Sequence, residues 1–300
     1  MIQRIKKLVI PPAWENVWIC EKENGHIQAT GHDIRKRKQY RYHSNWNELR
    51  NQTKFSKLLL FGEKLPLLRL QLEKDLSQKE LTLEKILATA ISLMERTYIR
   101  IGNSEYEKTN GSYGLTTLKD QHVKIDGTTM QFSFKGKKGI THKISLTNSK
   151  LARIIKQSRD IPGKELFQYY DENGNTHAID SGMVNKYIQE TTGEEFTAKD
   201  FRTWAGTLNA LEAFKKAGIG ENTTDTKKKL IDALDYVSKK LGNTRTVCKK
   251  YYIHPMIIEL FEKQSLNKYL DELDEIEKND NLTGWTRNEV ILLKILRSNA

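Results

Sequence analysis

Tyr252 stands in Gly242-Asn-Thr-Arg-Thr-Val-Cys-Lys-Lys-Tyr-Tyr-Ile-His-Pro255, where a helix stop and a polar loop lead to two tyrosines behind Lys249 and Lys250. Positive neighbours favour the anionic form that a phenol needs for nucleophilic attack. Arg100, in Tyr98-Ile-Arg-Ile-Gly102, is surrounded by apolar residues. A guanidinium in such company either snorkels to water or is pinned to an anion, because burying it unpaired is costly. Arg202 poses the same question one step from the stripe Phe201, Trp204 and Ala205. Lys137 shares a Gly-Lys-Lys-Gly turn with Lys138, where a loop tip can deliver an ammonium to a substrate. Taken singly, each residue has a plain structural account: a packed phenol, two salt-bridged arginines and a soluble hairpin end. Meeting at one phosphodiester, they would supply a nucleophile, two fixed cations and an acid, which suffice for strand cleavage.

Composition agrees with a polyanionic partner. Fifty Lys and Arg against 38 Asp and Glu leave a net charge of +12 in 300 residues and a pI near 9.4, although basic chains of this size also attach to other acidic surfaces. Two cysteines, Cys20 and Cys248, make no disulfide framework, and no Cys/His cluster has zinc spacing. The expectation is a reducing compartment with no structural metal. The start of the chain lacks the apolar run of a signal peptide, and no stretch approaches the roughly 18 apolar residues of a membrane span. A cytoplasmic protein without membrane contact follows as an expectation.

The elements that must position these residues fall into two groups, giving an α+β chain with a small β-rich domain at 1–78 and a mostly helical domain at 79–300. Leu8 to Pro12, Val17 to Cys20, Ile27 to Thr30 and Lys38 to His43 read as strands separated by turns. Leu58 to Leu72 reads as a helix, and the polar stretch Asp75 to Glu80 as a linker. Leu83, Ile86, Leu87, Ala90 and Met94 then mark one face of a helix running toward Arg100. A three-stranded β insertion follows over His122 to Leu146, with Asp126-Gly127 as a hairpin signal and Lys137 at the tip of the second turn. Apolar stripes at Leu151/Ile154/Ile155, Met183/Val184/Tyr187/Ile188, Phe201/Trp204/Ala205/Leu208/Leu211 and Leu230/Leu234/Val237 predict further helices. Thr197 with Asp200 predicts an N-cap, and Gly218 and Gly242 predict helix stops. After Lys263 an acidic linker, Asp271 to Glu277, leads to a short basic helix.

In the first domain, Arg35-Lys-Arg-Lys-Gln-Tyr-Arg-Tyr-His43 interleaves cations with aromatics at period two. On a strand, Arg37, Gln39 and Arg41 would face one way and Lys38, Tyr40 and Tyr42 the other. Cations there can neutralise phosphates, while Gln39 and the tyrosines can meet sugars and base edges. A solvated basic edge strand that resists aggregation is the competing account.

Seven short segments in order now carry a resemblance: Ile10-Pro-Pro-Ala-Trp14, Ala29-Thr-Gly-His-Asp33 with Arg37 to His43, Tyr98 to Gly102, Gly114-Leu-Thr-Thr-Leu118, Phe134-Lys-Gly-Lys137, Lys199-Asp-Phe-Arg-Thr-Trp204, and the Tyr252 segment. Together, from about Ile10 to Pro255, the chain resembles the type IB DNA topoisomerases in their small bacterial and poxvirus form. The resemblance implies two domains that clamp duplex DNA as a monomer, with no obligatory protein partner, no metal and no cofactor, neither ATP nor a redox group. It implies that Tyr252 attacks the scissile phosphorus to give a 3′-phosphotyrosyl link, that Arg100 and Arg202 hold the non-bridging oxygens, and that Lys137 protonates the leaving 5′ oxygen. The residues expected to contact DNA are Arg37, Gln39, Tyr40, Tyr42 and Tyr106.

Two positions depart from the family pattern. Nine residues before the nucleophile, where a histidine stands in poxvirus and many eukaryotic members, this chain has Asn243, which can donate a hydrogen bond to phosphate but cannot become a cation. In the basic turn, Lys36 replaces a usual glycine. Tyrosine recombinases share the Arg/Lys/Arg/Tyr chemistry, but they carry a helical N-terminal domain and usually a histidine two residues before the second arginine, where this chain has Asp200. A catalytically idle DNA clamp is the remaining alternative.

Overall fold

The computed structural model describes residues 2–34, 36–275 and 283–298. The chain divides into two compact units, Met1–Lys57 and Leu58–Ala300.

In the smaller unit, α1 (Ile2–Lys7) precedes an antiparallel sheet of β1 (Glu15–Ile19), β2 (Ile27–His32) and β3 (Lys38–Tyr42) in that order, and α2 (Ser44–Leu76) begins. The strand expected at Leu8 to Pro12 is absent. Leu8 and Val9 instead close the helix with N–H bonds to the Ile5 and Lys6 carbonyls, at 3.0 and 3.2 Å, and Val9 takes a left-handed φ of +47°. The prolines that follow, lacking N–H donors, suit this turn. They bring Trp14 onto Gly31, where a Cβ would stand 2.8 Å from the indole. Buried Gln28 ties the β1–β2 loop through bonds from its Nε2 to the Lys22, Glu23 and Gly25 carbonyls, and its Oε1 accepts from Arg4 at 2.7 Å.

Helix α2 is longer than its apolar stretch, and the division between the two compact units falls within it. The reason is packing. Leu58, Phe61, Leu65, Leu68, Leu72 and Leu76 all join the core of the larger unit, so the second half of α2 belongs there by burial of its apolar face.

The larger unit continues with α3 (Leu83–Thr97) and α4 (Ser104–Asn110). Next come the antiparallel strands β4 (Val123–Asp126), β5 (Thr129–Lys135) and β6 (Thr141–Thr147), followed by α5 (Ser149–Arg159). A small hairpin, β7 (Gln168–Tyr170) and β8 (Thr176–Ala178), precedes α6 (Ser181–Thr192), α7 (Ala198–Ala217), α8 (Thr223–Leu241), α9 (Arg245–Tyr251), α10 (Pro255–Glu262), α11 (Asn267–Glu275) and α12 (Arg287–Ser298). The three-stranded insertion is present in the expected place. Met130, Phe132 and Phe134 alternate inward on β5, as period two requires.

Helix α3 does not run as far as Arg100. It ends at Thr97, because Tyr98 adopts a left-handed conformation (φ +58°) and its N–H returns to the Met94 carbonyl at 3.0 Å. The expected N-cap of α7 forms as a capping box, with the Thr197 N–H bonded to Asp200 Oδ2 at 2.8 Å. Gly218 and Gly242 stop α7 and α8 with φ near +66° and +57°.

The acidic stretch expected to be a linker is helical over 271–275, within α11, and its remainder lies outside the described residues. The expected short C-terminal helix is present as α12, and it joins the core by burying Ile291, Leu292, Leu293, Ile295 and Leu296. Among the described residues, no helix is long and apolar enough to cross a membrane.

Candidate active site

Arg202 projects from the first turns of α7, a helix buried along most of its length. The residue is 5% exposed, and its guanidinium donates from Nη1 to the Tyr98 carbonyl and from Nη2 to the Leu241 carbonyl at 2.7 Å. The left-handed turn at Tyr98 and the C-terminus of α8 thus both present orphan carbonyls to one arginine. Arg202 also lies over the Tyr252 ring, 5.1 Å from its centroid.

Arg100 sits in the extended segment after α3, and its backbone is fixed by the Gly114 to Leu118 motif. Leu115 N–H donates to the Arg100 carbonyl at 2.8 Å, and Thr116 N–H to that of Ile101 at 2.7 Å. Gly114 is required for this approach, since a Cβ there would lie 2.5 Å from the Arg100 carbonyl oxygen. At the other end, Arg100 Nη2 donates to Asn243 Oδ1 at 2.5 Å and to the Gly242 carbonyl at 3.3 Å.

Neither arginine matches the salt-bridge account available to it from sequence. Among the described residues, no carboxylate pairs with Arg100 or Arg202; their partners are carbonyl, amide and phenol groups. Desolvation, then the charge of Arg202, push Arg100 down to about 10, with Tyr252 and Cys248 opposing. Desolvation lowers Arg202 as well, against the pull of Tyr252. A guanidinium stays charged at neutral pH, so the site concentrates positive charge that no carboxylate among the described residues compensates. Within the site, Arg202 Nε and Asn243 Nδ2 are buried donors with no hydrogen-bond partner among the described residues.

Tyr252 caps α9, its N–H bonded to the Cys248 carbonyl at 3.0 Å. It is seated on α7 one turn beyond Arg202. A Cβ on Gly206 would stand 2.3 Å from the Tyr252 carbonyl oxygen. Thr207 Oγ1 accepts from the His254 N–H at 3.1 Å and donates to the Tyr252 carbonyl at 3.4 Å. Lys137 is exposed in a short 3₁₀ turn between β5 and β6. Its pKa is lowered by partial desolvation, then by Arg100, while Tyr252 raises it, which places its ammonium within electrostatic reach of both.

The structure therefore joins Arg100 to Asn243 and Arg202 to Tyr252 by direct contact, with Lys137 within electrostatic reach of Arg100 and Tyr252, all within the larger unit. Sequence reasoning missed three neighbours. Gly206 makes the seat for Tyr252, and His142 lies against Gly242 and Gly136. Buried Glu289 of α12 accepts from Trp204 Nε1 on α7 at 3.0 Å and from Arg69 of α2 at 2.7 and 3.0 Å. A glycine inside the apolar stripe of α7 was a visible signal, since it costs helix stability unless something needs the space.

Tyr106 lies at the first turn of α4, 57% exposed, its N–H capped by Asn103 Oδ1. In the smaller unit, Arg37 and Gln39 both donate to Asp33, through Nε at 2.8 Å and Nε2 at 3.0 Å. Tyr40 and Tyr42 stack with centroids 5.9 Å apart, and Lys38 lies over Tyr40. Lys36 takes a left-handed φ of +58°, so this turn keeps a backbone suited to glycine despite the side chain it carries. Arg35, at the head of the basic segment, lies outside the described residues.

Comparison with known proteins adds the following. Residues 43–280 match the family model of the eukaryotic DNA topoisomerase I catalytic core, and residues 1–33 that of the bacterial DNA topoisomerase IB N-terminal domain. The chain is 34% identical over 268 residues to DNA topoisomerase 1B of Acanthamoeba polyphaga mimivirus, covering 87% of this chain and 80% of that protein. It is 21% identical over 254 residues to DNA topoisomerase 1B of vaccinia virus strain Copenhagen, covering 84% and 77%.

Proposed function

We infer the reaction from the premise that the chain belongs to the type IB DNA topoisomerase family: it is an isomerase that relaxes supercoiled DNA by cutting one strand and rejoining it. The observation that supports this most is the pair Arg100 and Arg202, buried without carboxylate partners and gathered with Asn243 at Tyr252. A phosphodiester supplies the missing anion.

In the proposed step, Tyr252 Oη attacks the phosphorus as its own proton passes to water. The bond from phosphorus to the 5′ oxygen breaks, and Lys137 gives that oxygen a proton. The products are a 3′-phosphotyrosyl enzyme and a free 5′-hydroxyl. Arg100 and Arg202 stabilise the charge that builds on the non-bridging oxygens, held beforehand by the Tyr98, Leu241 and Gly242 carbonyls. Asn243 Nδ2 and Arg202 Nε, the two unpartnered donors, are suited to the same oxygens. Because the phosphotyrosyl bond retains the energy of the phosphodiester, the 5′-hydroxyl can attack it in reverse, so rejoining needs no ATP and no metal.

The substrate is double-stranded DNA, held by a clamp of two domains that the sequence divides at residues 78 and 79, acting as a cytoplasmic monomer without an obligatory protein partner. Arg37, Gln39, Tyr40 and Tyr42 would contact DNA from the N-terminal strands, and Tyr106 from α4. Several phosphate contacts would make binding weaken steeply with salt. The test is supercoiled plasmid mixed with the protein in EDTA without ATP. A ladder of relaxed topoisomers is expected, and tight binding without relaxation would sink the reading. Tyr252→Phe should bind DNA normally and leave no covalent adduct after detergent quench.

A further inference from the structure

Lys137 is placed by a turn, and turns at hairpin tips are mobile unless something braces them. His142, five residues on in β6, is such a brace. Its ring lies against two backbones at once. A Cβ on Gly136, the residue before Lys137, would stand 2.6 Å from His142 Cδ2 and Nε2. A Cβ on Gly242 would stand 2.4 Å from His142 Cε1. These are distances that real side chains do not adopt, so both glycines leave room for one imidazole. Gly242 in turn presents its carbonyl to Arg100 and precedes Asn243.

The ring is itself held. His142 pairs with Phe134 across β5 and β6, and the two rings stack at 5.1 Å with planes 20° apart. The Gly136 N–H closes the turn on the Ile140 carbonyl at 2.7 Å. Stacking on a buried phenylalanine fixes the plane of the imidazole, and the paired strands fix its height above the sheet. Charged groups facing it are Arg100 and Arg202. Burial first, then these two cations, hold its pKa below the ordinary histidine value, so the ring stands neutral and contributes shape, not charge.

We propose that His142 is a positioning residue, a spacer between the Lys137 turn and the Gly242–Asn243 corner that sets where the lysine ammonium meets the leaving 5′ oxygen. The proposal rests on the reading of Lys137 as general acid. It goes beyond that reading by assigning the lysine's placement to a side chain outside the catalytic set. It also gives Gly136 and Gly242 a shared purpose, since each is the wall against which the spacer works.

The test is single-turnover cleavage of two duplexes, one normal and one in which sulfur replaces the bridging 5′ oxygen at the scissile phosphate. A thiolate leaves without needing a proton, so a defect in acid placement vanishes on the sulfur substrate and any other defect persists. His142→Ala should slow cleavage of normal DNA by about tenfold or more, part of the roughly 10²–10⁴ that general-acid catalysis contributes. On the sulfur duplex it should cleave within about threefold of wild type, with DNA affinity unchanged. His142→Phe, which keeps a flat ring, should restore most of the rate on normal DNA. Should His142→Ala fail to fold, Gly136→Ala displaces the same ring by its added Cβ and should give the same sulfur-relieved defect. Lys137→Ala is the control. If sulfur relieves Lys137→Ala but not the His142 or Gly136 variants, or if those variants cleave normal DNA at the wild-type rate, the assignment of His142 is overturned. If sulfur fails to relieve Lys137→Ala, the general-acid reading falls and this proposal with it.

Discussion

Gly206 of α7 leaves the space that the backbone of Tyr252 fills: a Cβ there would stand 2.3 Å from the Tyr252 carbonyl oxygen and 2.9 Å from its Cβ. Arg202 lies one helical turn earlier on the same helix. The helix that carries Arg202 therefore also sets the height of the proposed nucleophile.

Gly206→Ala should push Tyr252 off that seat. Cleavage in a single-turnover assay is expected to fall by about 10² or more, as small misplacements of reacting groups do, while DNA affinity stays near wild type. Alanine is the better helix former at this position by roughly 1 kcal/mol, so α7 itself remains intact. Wild-type cleavage by Gly206→Ala would show that the seat does not govern the nucleophile.

Asn243 offers Arg100 its Oδ1 as an acceptor at 2.5 Å, while its Nδ2 donor has no partner among the described residues. Asn243→Ala removes both. A hydrogen bond to a charged group contributes about 1.5–3 kcal/mol, which corresponds to roughly a ten- to hundredfold slower cleavage. Asn243→Asp should be worse, because a carboxylate beside Arg100 neutralises the charge intended for phosphate. Quench-flow rates that rank Asp above Ala would refute this account.

As the proposed general acid, Lys137 works only when protonated, and its pKa lies below the ordinary lysine value of 10.5, first through desolvation and then through Arg100. As pH rises through that lowered value the acid is lost, so single-turnover cleavage should bend downward before pH 10.5. The bend should be missing in Lys137→Ala. Parallel profiles for the two proteins would remove lysine from the reaction.

Glu289 ties α12 to the rest of the larger unit through Arg69, Trp204 and the Thr286 N–H. Burial tends to raise its pKa, but Arg69, Thr286 and Trp204 overcome this, and the net shift is downward from 4.5. A carboxylate depressed in the folded state stabilises fully above its unfolded value. That contribution is lost as pH falls below 4.5 through the lower folded value. Glu289→Gln should cost about 3 kcal/mol at neutral pH, as breaking a buried pair does, and should flatten the acid limb of the melting curve. Unchanged denaturant midpoints at pH 7 would contradict it.

Much of the larger unit was legible in the sequence because its signals are local. The capping box at Thr197 and Asp200, the glycine stops, the inward alternation of β5 and the apolar stripes each depend on residues within a few positions of one another. The end of α3 was not legible, since nothing in the order Thr97-Tyr98-Ile99-Arg100 announces that Tyr98 turns left-handed. Nor was the destination of α2, whose second half is claimed by the core of the larger unit.

The candidate site divides along the same line. Order and flanking motifs, through the resemblance they carry, were enough to name Arg100, Lys137, Arg202, Asn243 and Tyr252 as candidates, whereas residue type alone left each with a plain structural account. Whether the arginines were neutralised by carboxylates could not be read from order, because it depends on which distant carbonyls reach them: those of Tyr98, Leu241 and Gly242. Gly206, His142 and Glu289 emerge only when separate elements are packed together. Their contributions are distances across 46, 100 and 85 positions of chain, from Gly206 to Tyr252, His142 to Gly242, and Trp204 to Glu289, and packing, not sequence proximity, sets such distances.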